Sequence, residues 1–340
     1  MTVPVTKDDY WQLTVTPLFA HNHMQRETMR IDPLEEKSNT GVIGRMSDAL
    51  TGQGLSVGSF SIDHNSISLI GEPGISSTPF IISQNGVTEF SPAPSGANMS
   101  QSIKDLNAAT EPDSGYFGET WSEKVLASIN DNENLYNTLQ GTTIGANFPE
   151  TWLGRKLRTV AQLISTRVER GVDRDMFYVD IGGFDTHSDV RENLINRFTE
   201  VNDAIGAFAQ ELKDMNVWDM VTTVQTSDFA RTLAPNTGDG TDHAWGGNYM
   251  FFGGSVAGGQ VKGTYPEDLT DDGPLGLGRG RLIPKTPWDA VFNGLAEWVG
   301  VDAARMLDIC PNKNAFPTGD IFSAADLFVP TVRKQRYLRK

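Results

Sequence analysis

Cysteine occurs once in this chain, at Cys310, so no intrachain disulfide can form. That scarcity leaves the compartment open, because many exported bacterial enzymes also lack disulfides. Cys310 precedes Pro311 and reads as a small buried hydrophobe. Long apolar runs are missing too. None reaches the ~18 residues of a membrane-spanning helix. The opening MTVPVTKDDYWQ has no basic stretch followed by an apolar one, so no secretory signal is visible. Positive charge is in short supply. With 28 Lys and Arg against 43 Asp and Glu, the net charge of −15 repels a phosphate backbone and argues against a nucleic-acid partner. The acidic residues are spread along the chain rather than gathered in a tail, the pattern of a solvated surface. Histidine is rare, at five residues, so the positions of those five carry weight.

What is present is loop-forming residues and a moderate apolar fraction. The 34 Gly and 17 Pro beside 38% hydrophobic residues describe a globular protein with many ordered loops. Its 340 residues suffice for a sizeable core in one large domain or two small ones. We read residues 1–325 as a single α/β domain and 326–340 as a polar tail that ends in Arg333, Lys334, Arg336, Arg339 and Lys340. A loop-rich insertion at about 71–118, dense in Gly, Pro, Ser and Asn, reads as a surface excursion, either a covering lid or a plain insertion. It contains one sequon, Asn98-Met99-Ser100, of a kind that arises by chance.

Periodicity supplies the elements. Helical spacing marks 41–50, 119–139, 151–170 (closed by Gly171), 189–215 and 288–299. Alternation over 55–70 reads as strands. The short apolar runs 176–181 and 221–226 read as buried strands of a parallel sheet, and a hairpin is expected at Tyr249–Gly263. Helices alternating with buried strands imply a mostly parallel sheet with crossover helices.

Ligands of such sheets sit beyond the carboxyl ends of the strands. The first buried strand runs into Gly182-Gly183-Phe184-Asp185-Thr186-His187. Its glycines permit a tight turn, and Asp185 and His187 fall on one side of an extended segment. A carboxylate beside an imidazole is a divalent-metal pair. The second strand runs into Thr226-Ser227-Asp228-Phe229-Ala230-Arg231, with Asp228 just past its end. Arg231 is placed to hold an anionic oxygen bidentately. A Gly-rich loop then presents Asp242-His243, and a metal would tie down such a loop. Each of these segments, taken alone, also suits a turn or a cap. Three of them at sheet ends favour a site.

The runs GGFDTH, TSDFARTL and GTDHAWGG, followed by GGQVKGTYP, resemble the domain-of-unknown-function 1501 family, and LAEWVGVDAARMLDICPNKNAF resembles its C-terminal region. The likeness covers about residues 20–320. The resemblance places the chain in the alkaline-phosphatase-like superfamily, with a mostly parallel sheet and helices on both faces. It implies metal-assisted hydrolysis or transfer of phosphate and sulfate esters. By that resemblance Asp185 and His187 supply one part of a metal site, Asp228 another, and His243 with Asp242 closes the cluster. Arg231 becomes the candidate for the substrate oxyanion. The mixed nitrogen and oxygen donors suit zinc, manganese or magnesium.

Two departures stand out. Family members typically begin with a strand and a glycine-rich turn bearing an aspartate, often after an export signal, and this sequence starts downstream of where those would lie. Many members also carry Ser-His where this sequence reads Ala20-His21-Asn22-His23. Asn22 then stands at the serine position and cannot serve as an alkoxide. His21 and His23 can coordinate a metal, but they read more simply as surface histidines. The expectation is a metal-dependent hydrolase acting on a small anionic ester in a periplasmic or extracellular setting. Its rivals are an inactive relative with a binding or structural role, and a fragment whose site is completed by residues elsewhere.

Overall fold

The structure is a computed structural model that describes residues 5–14, 16–34, 37, 39–75, 78–92, 99–109 and 114–330. The basic residues of the tail and the sequon's Asn98 lie outside these described residues. Helices α1 (Tyr10–Leu13), α2 (His21–Arg30) and α3 (Val42–Gly52) precede strand β1 (Val57–Ile62). Then come β2 (Phe80–Ile82), α4 (Met99–Ala108), α5 (Gly115–Gln140), α6 (Trp152–Ser165), β3 (Arg174–Tyr178) and α7 (Val190–Asp214). The chain continues through β4 (Thr222–Val224), β5 (Phe251–Gly253), α8 (Trp288–Val299), α9 (Met306–Ile309) and α10 (Ala324–Leu327). No helix among the described residues is long and apolar enough to cross a membrane.

A parallel sheet of three strands, in the order β2-β1-β3, forms the centre. Its register places Phe80, Phe60 and Phe177 side by side. Their rings stack at 5.7 and 5.5 Å between centroids, an aromatic ladder that pins the three strands in register. Arg170 lies 5.0 Å over the Phe60 ring and grips both oxygens of Asp175, at 2.9 and 2.6 Å.

Alternation along β3 sorts side chains to opposite faces. Phe177 joins a core built with Phe60, Ile62 and the inner faces of α5, α6 and α7, among them Leu157, Leu163, Phe208 and Leu212. Met176 and Tyr178 join a second core with α3 and α8, among them Met46, Leu50, Phe292 and Ala296. Helices therefore cover both faces, as the sequence suggests. Burying each such large apolar side chain contributes on the order of 1.5–3 kcal/mol. The α3 face of β1 presents Ser59 and Ser61, small enough for the helix to come close. Gly44 lets α3 press against the segment that follows β1, since a Cβ there would lie 2.1 Å from the Ile70 carbonyl oxygen.

Several expectations are corrected. The alternating stretch 55–70 holds one strand rather than two. Asp63 turns the chain at φ 76, and Ser66 caps a single 3-10 turn at Ile67–Leu69. The 71–118 excursion carries the edge strand β2 and the helix α4. Three residues, Phe80-Ile81-Ile82, are too few to register as a period against their Gly- and Pro-rich flanks. The run 221–226 does not enter the parallel sheet. Its strand β4 pairs antiparallel with β5, with Val224 opposite Phe251. The hairpin at Tyr249–Gly263 is absent for the same reason, because β5 takes β4 as its partner, 27 residues upstream at that pair. One edge of β3 and one edge of β4 have no strand partner among the described residues, and both strands border a single cavity of about 2580 Å³.

Inside the second core, burial pushes the Asp289 carboxyl up to about 7, its own backbone N–H and the Arg45 charge opposing the rise only in part. An unfolded carboxyl titrates near 3.9. Between about pH 4 and 7 the folded chain keeps a proton that the unfolded chain has released. This contribution is therefore complete below pH 4 and lost as pH rises through 7. Asp289→Asn should flatten that slope and exceed the parent stability at pH 8 by roughly 1–3 kcal/mol, as read by urea unfolding at pH 5 and pH 8.

Candidate functional site

Three loops meet beyond the strand ends because their backbones are zipped to one another. The loop after β3 is bound to the Gly-rich loop by Thr241 N–H donating to Thr186 O at 2.8 Å and Val190 N–H to Asp239 O at 3.0 Å. The loop after β4 pairs with the same Gly-rich loop on its other side. There Ala244 N–H donates to Ala230 O at 2.8 Å and Thr232 N–H to Asp242 O at 2.9 Å, so Arg231 stands opposite His243. Gly240 is required at the crossing, since a Cβ would lie 2.1 Å from the His187 carbonyl carbon. Asn236 stitches the turn. Its Oδ1 accepts from Gly238 N–H at 2.9 Å and Gly240 N–H at 3.0 Å, and its Nδ2 donates to His187 O at 2.9 Å.

Asp185 is the point of convergence. Its Oδ1 takes a hydrogen bond from Arg231 Nη1 and lies 2.9 Å from His187 Nε2 and 3.1 Å from His243 Nε2. Its Oδ2 lies 3.2 Å from His21 Nε2. His21 reaches in from the first turn of α2, and its Nδ1 stands 2.8 Å from Asp228 Oδ2. Asp228 therefore joins the site through His21. The ring of Phe229 lies against both His21 and His243, with centroids 4.6 and 4.4 Å away. Donor atoms of His21, Asp185 and His243 all fall within 4.8 Å of one another, a spacing that admits one shared cation.

Hydrogen bonding constrains the ring orientations. His243 Nδ1 donates to the Phe19 carbonyl oxygen at 2.7 Å, so in a neutral ring the lone pair falls on Nε2. His187 Nδ1 faces Asp242 Oδ1 at 3.3 Å. Asp242 is held below the usual carboxylate range, first by the Asn236 amide and then by His187 and Arg279. His187 thus stands between two carboxylates, with Asp242 Oδ1 at its Nδ1 and Asp185 Oδ1 2.9 Å from its Nε2. The two Nε2 atoms face each other at 3.1 Å across an anionic oxygen. Imidazoles oriented by a carbonyl or a carboxylate on the far nitrogen are the outer partners that metal-ligating histidines use.

The ion pairs of the site set the charge balance of Asp185 and His21. Burial pushes the Asp185 carboxyl up, but the Arg231 charge and the His21 and Arg231 hydrogen bonds outweigh it and hold it below its ordinary value. His21 is raised, chiefly by its hydrogen bond to Asp228, with burial opposing and Asp185 adding to the rise. Arg231 donates its Nε to Thr241 Oγ1 at 3.0 Å and its Nη2 to Thr241 O at 2.6 Å, so in this state all three of its nitrogens are engaged within the protein.

Asp185, His187, Asp242, His243 and Arg231 come together as the motifs suggested, and Asp228 attaches at one remove. His21 was the residue undervalued in sequence. It lies 207 positions from Asp228, and no local pattern marks it. His23 remains exposed and outside the cluster. Arg279, which binds Asp242 Oδ2, and Asn236 also went unremarked, because side chains that orient other side chains carry no spacing signature. Gly240→Ala should destabilise the protein by roughly 2 kcal/mol or more. Gly238→Ala, whose Cβ meets nothing nearer than 3.2 Å, should cost much less. Urea unfolding of both variants checks the contrast.

Comparison with curated proteins and with solved structures finds no match for this chain. Residues 119–272, which run from within α5 through β5 and hold all three motif loops, match the model of the family described as "Protein of unknown function (DUF1501)".

Proposed function

We propose that this chain is a metal-dependent hydrolase of phosphate or sulfate esters, with Asp185, His187, His243 and His21 around a divalent cation and Asp242 behind His187. One observation carries the reading. Two imidazole nitrogens and a carboxylate oxygen converge within 3.1 Å of one another, three donor atoms that one cation can share when the rings are neutral. Zinc, manganese and magnesium are the candidates, and the histidine content favours zinc or manganese over magnesium. A divalent ion held there would supply positive charge to an ester oxygen as bond order shifts in the reaction.

The surrounding side chains have definable tasks. Asp228 holds His21 by its Nδ1 and so aims His21 Nε2 at Asp185. Arg231 is the candidate for a substrate oxyanion, and doing so requires it to exchange its contact with Asp185 for one with the ester. The chain's overall acidity does not oppose an anionic substrate, because the local field at such a site is set by the ion.

The alternative is a catalytically inactive family member that keeps the site for binding or stability. Asn22 favours it: it stands in the first turn of α2 beside His21, the family resemblance implies a serine at that position, and an amide supplies no alkoxide.

Metal analysis of the purified protein, followed by turnover of a panel of aryl phosphates and sulfates, separates the two. The hydrolase reading predicts bound metal and turnover of at least one ester class, with losses of about 100-fold or more in Asp228→Ala and His243→Ala. A folded, metal-loaded protein that turns over nothing, and whose Asp228→Ala and His243→Ala forms differ from it only in melting temperature, supports the inactive alternative.

A further inference from the structure

Behind the site lies a tight turn, residues 278–281, that none of the motif loops includes. Its backbone is unusual. Gly278, Arg279 and Gly280 have φ values of 81, 60 and 71, three consecutive residues in the left-handed region, one of them not glycine. Something must hold Arg279 there, and Asp271 does. Its Oδ2 accepts from Arg279 N–H at 2.9 Å and its Oδ1 from Gly280 N–H at 2.7 Å. Leu233 N–H donates to Gly280 O at 3.0 Å and docks the turn onto the loop that follows β4. A Cβ on Gly280 would fall 2.6 Å from Ala234 N, so this residue type is needed for that approach.

The turn so fixed points two guanidinium groups at the adjacent residues Asp242 and His243. Arg279 Nη2 binds Asp242 Oδ2, leaving Oδ1 for the Nδ1 of His187. Arg281 Nε donates to the His243 carbonyl oxygen at 2.8 Å, and its guanidinium lies 4.8 Å over the Phe19 ring. Phe19 in turn offers its carbonyl to His243 Nδ1. Phe19 is itself a non-glycine residue at φ 66, so a strained backbone presents that acceptor.

We propose that the 278–281 turn is a two-arginine brace that sets the orientation and tautomer of the site's two facing imidazoles. Arg279 acts on His187 through Asp242, and Arg281 acts on His243 through its carbonyl and Phe19. Both arginines are positioning residues, and the consequence for cation binding rests on the site reading proposed above. The two arms are separable. Loss of Arg279 leaves Asp242 held, apart from His187 itself, by the Asn236 amide alone at its side chain and should disturb His187 while leaving His243 in place. Loss of Arg281 should do the converse. Because the brace holds the rings whether or not a cation is bound, its effect is readable in metal-free protein.

The test uses the full chain with ¹⁵N-labelled histidine, stripped of metal and held at alkaline pH, where imidazole nitrogen shifts report the tautomer. In the parent, His187 and His243 should both be Nδ1–H forms. Arg279→Gln should move His187 toward a tautomer mixture and spare His243, Arg281→Gln should move His243 and spare His187, and Arg279→Lys should restore part of the His187 signal. Zn²⁺ titration of the same proteins should show affinity lower by about 10–100-fold in each Gln variant. Should Arg279→Gln fail to fold, Arg279→Lys and Arg281→Gln still read the two arms. Unchanged tautomers in folded variants overturn the brace even where the parent binds Zn²⁺, as does equal movement of both rings in either variant, the mark of a general structural role. Selective tautomer changes in a parent that binds no Zn²⁺ uphold the brace and sink the metal reading instead.

Discussion

The carboxylate of Asp185 is the constraint on which the rest of the site depends. A single aspartate is met by one guanidinium and three imidazoles arriving from four separate stretches of chain. An arrangement with that many nitrogen groups around one anion is stable only if their protons and charges are apportioned correctly. Here the far nitrogens of His187 and His243 face oxygen atoms of Asp242 and Phe19, which turns both Nε2 atoms inward toward Asp185. Arg231 counters part of the negative charge and, through Thr241, ties Asp185 to the Gly-rich loop.

The fold makes this convergence possible by ordinary means. A phenylalanine ladder registers three parallel strands, and helices on both faces bury them, so the end of β3 is a rigid platform for Asp185 and His187. β4 belongs to a different, antiparallel pair, yet its end delivers Asp228 and Arg231 to the same place. Backbone pairing between the three loops, rather than membership of one sheet, brings the two strand ends into a common site.

Much of this was legible in the sequence, for physical reasons that can be named. Helices α5, α6, α7 and α8 show an apolar stripe at helical spacing, and one buried face dictates such a stripe. β3 is legible in part: Met176, Phe177 and Tyr178 belong to the apolar run 176–181, whereas Arg174 and Asp175, which open the strand, lie outside it. The motif loops stand out because glycine next to aspartate and histidine is an unusual combination with a clear chemical use. What was hidden depends on partners far away in the chain. β2 is three residues long and acquires meaning only beside β1. The partner of β4 is selected by which edges meet, and a pattern of apolar residues does not encode that choice. His21 looks like any exposed histidine near a helix start, until the fold sets it between Asp185 and Asp228.

The central claim is that Asp185 and its imidazoles form a cation site rather than a self-contained ion-pair cluster. The most direct measurement is elemental analysis of the purified protein and of Asp185→Asn, each checked for an intact fold by circular dichroism. The account predicts about one divalent ion per chain or more in the parent and little or none in the amide variant, with both folded. A well-folded parent without stoichiometric metal, even after incubation with zinc or manganese, or an Asp185→Asn protein that holds as much as the parent, would contradict it.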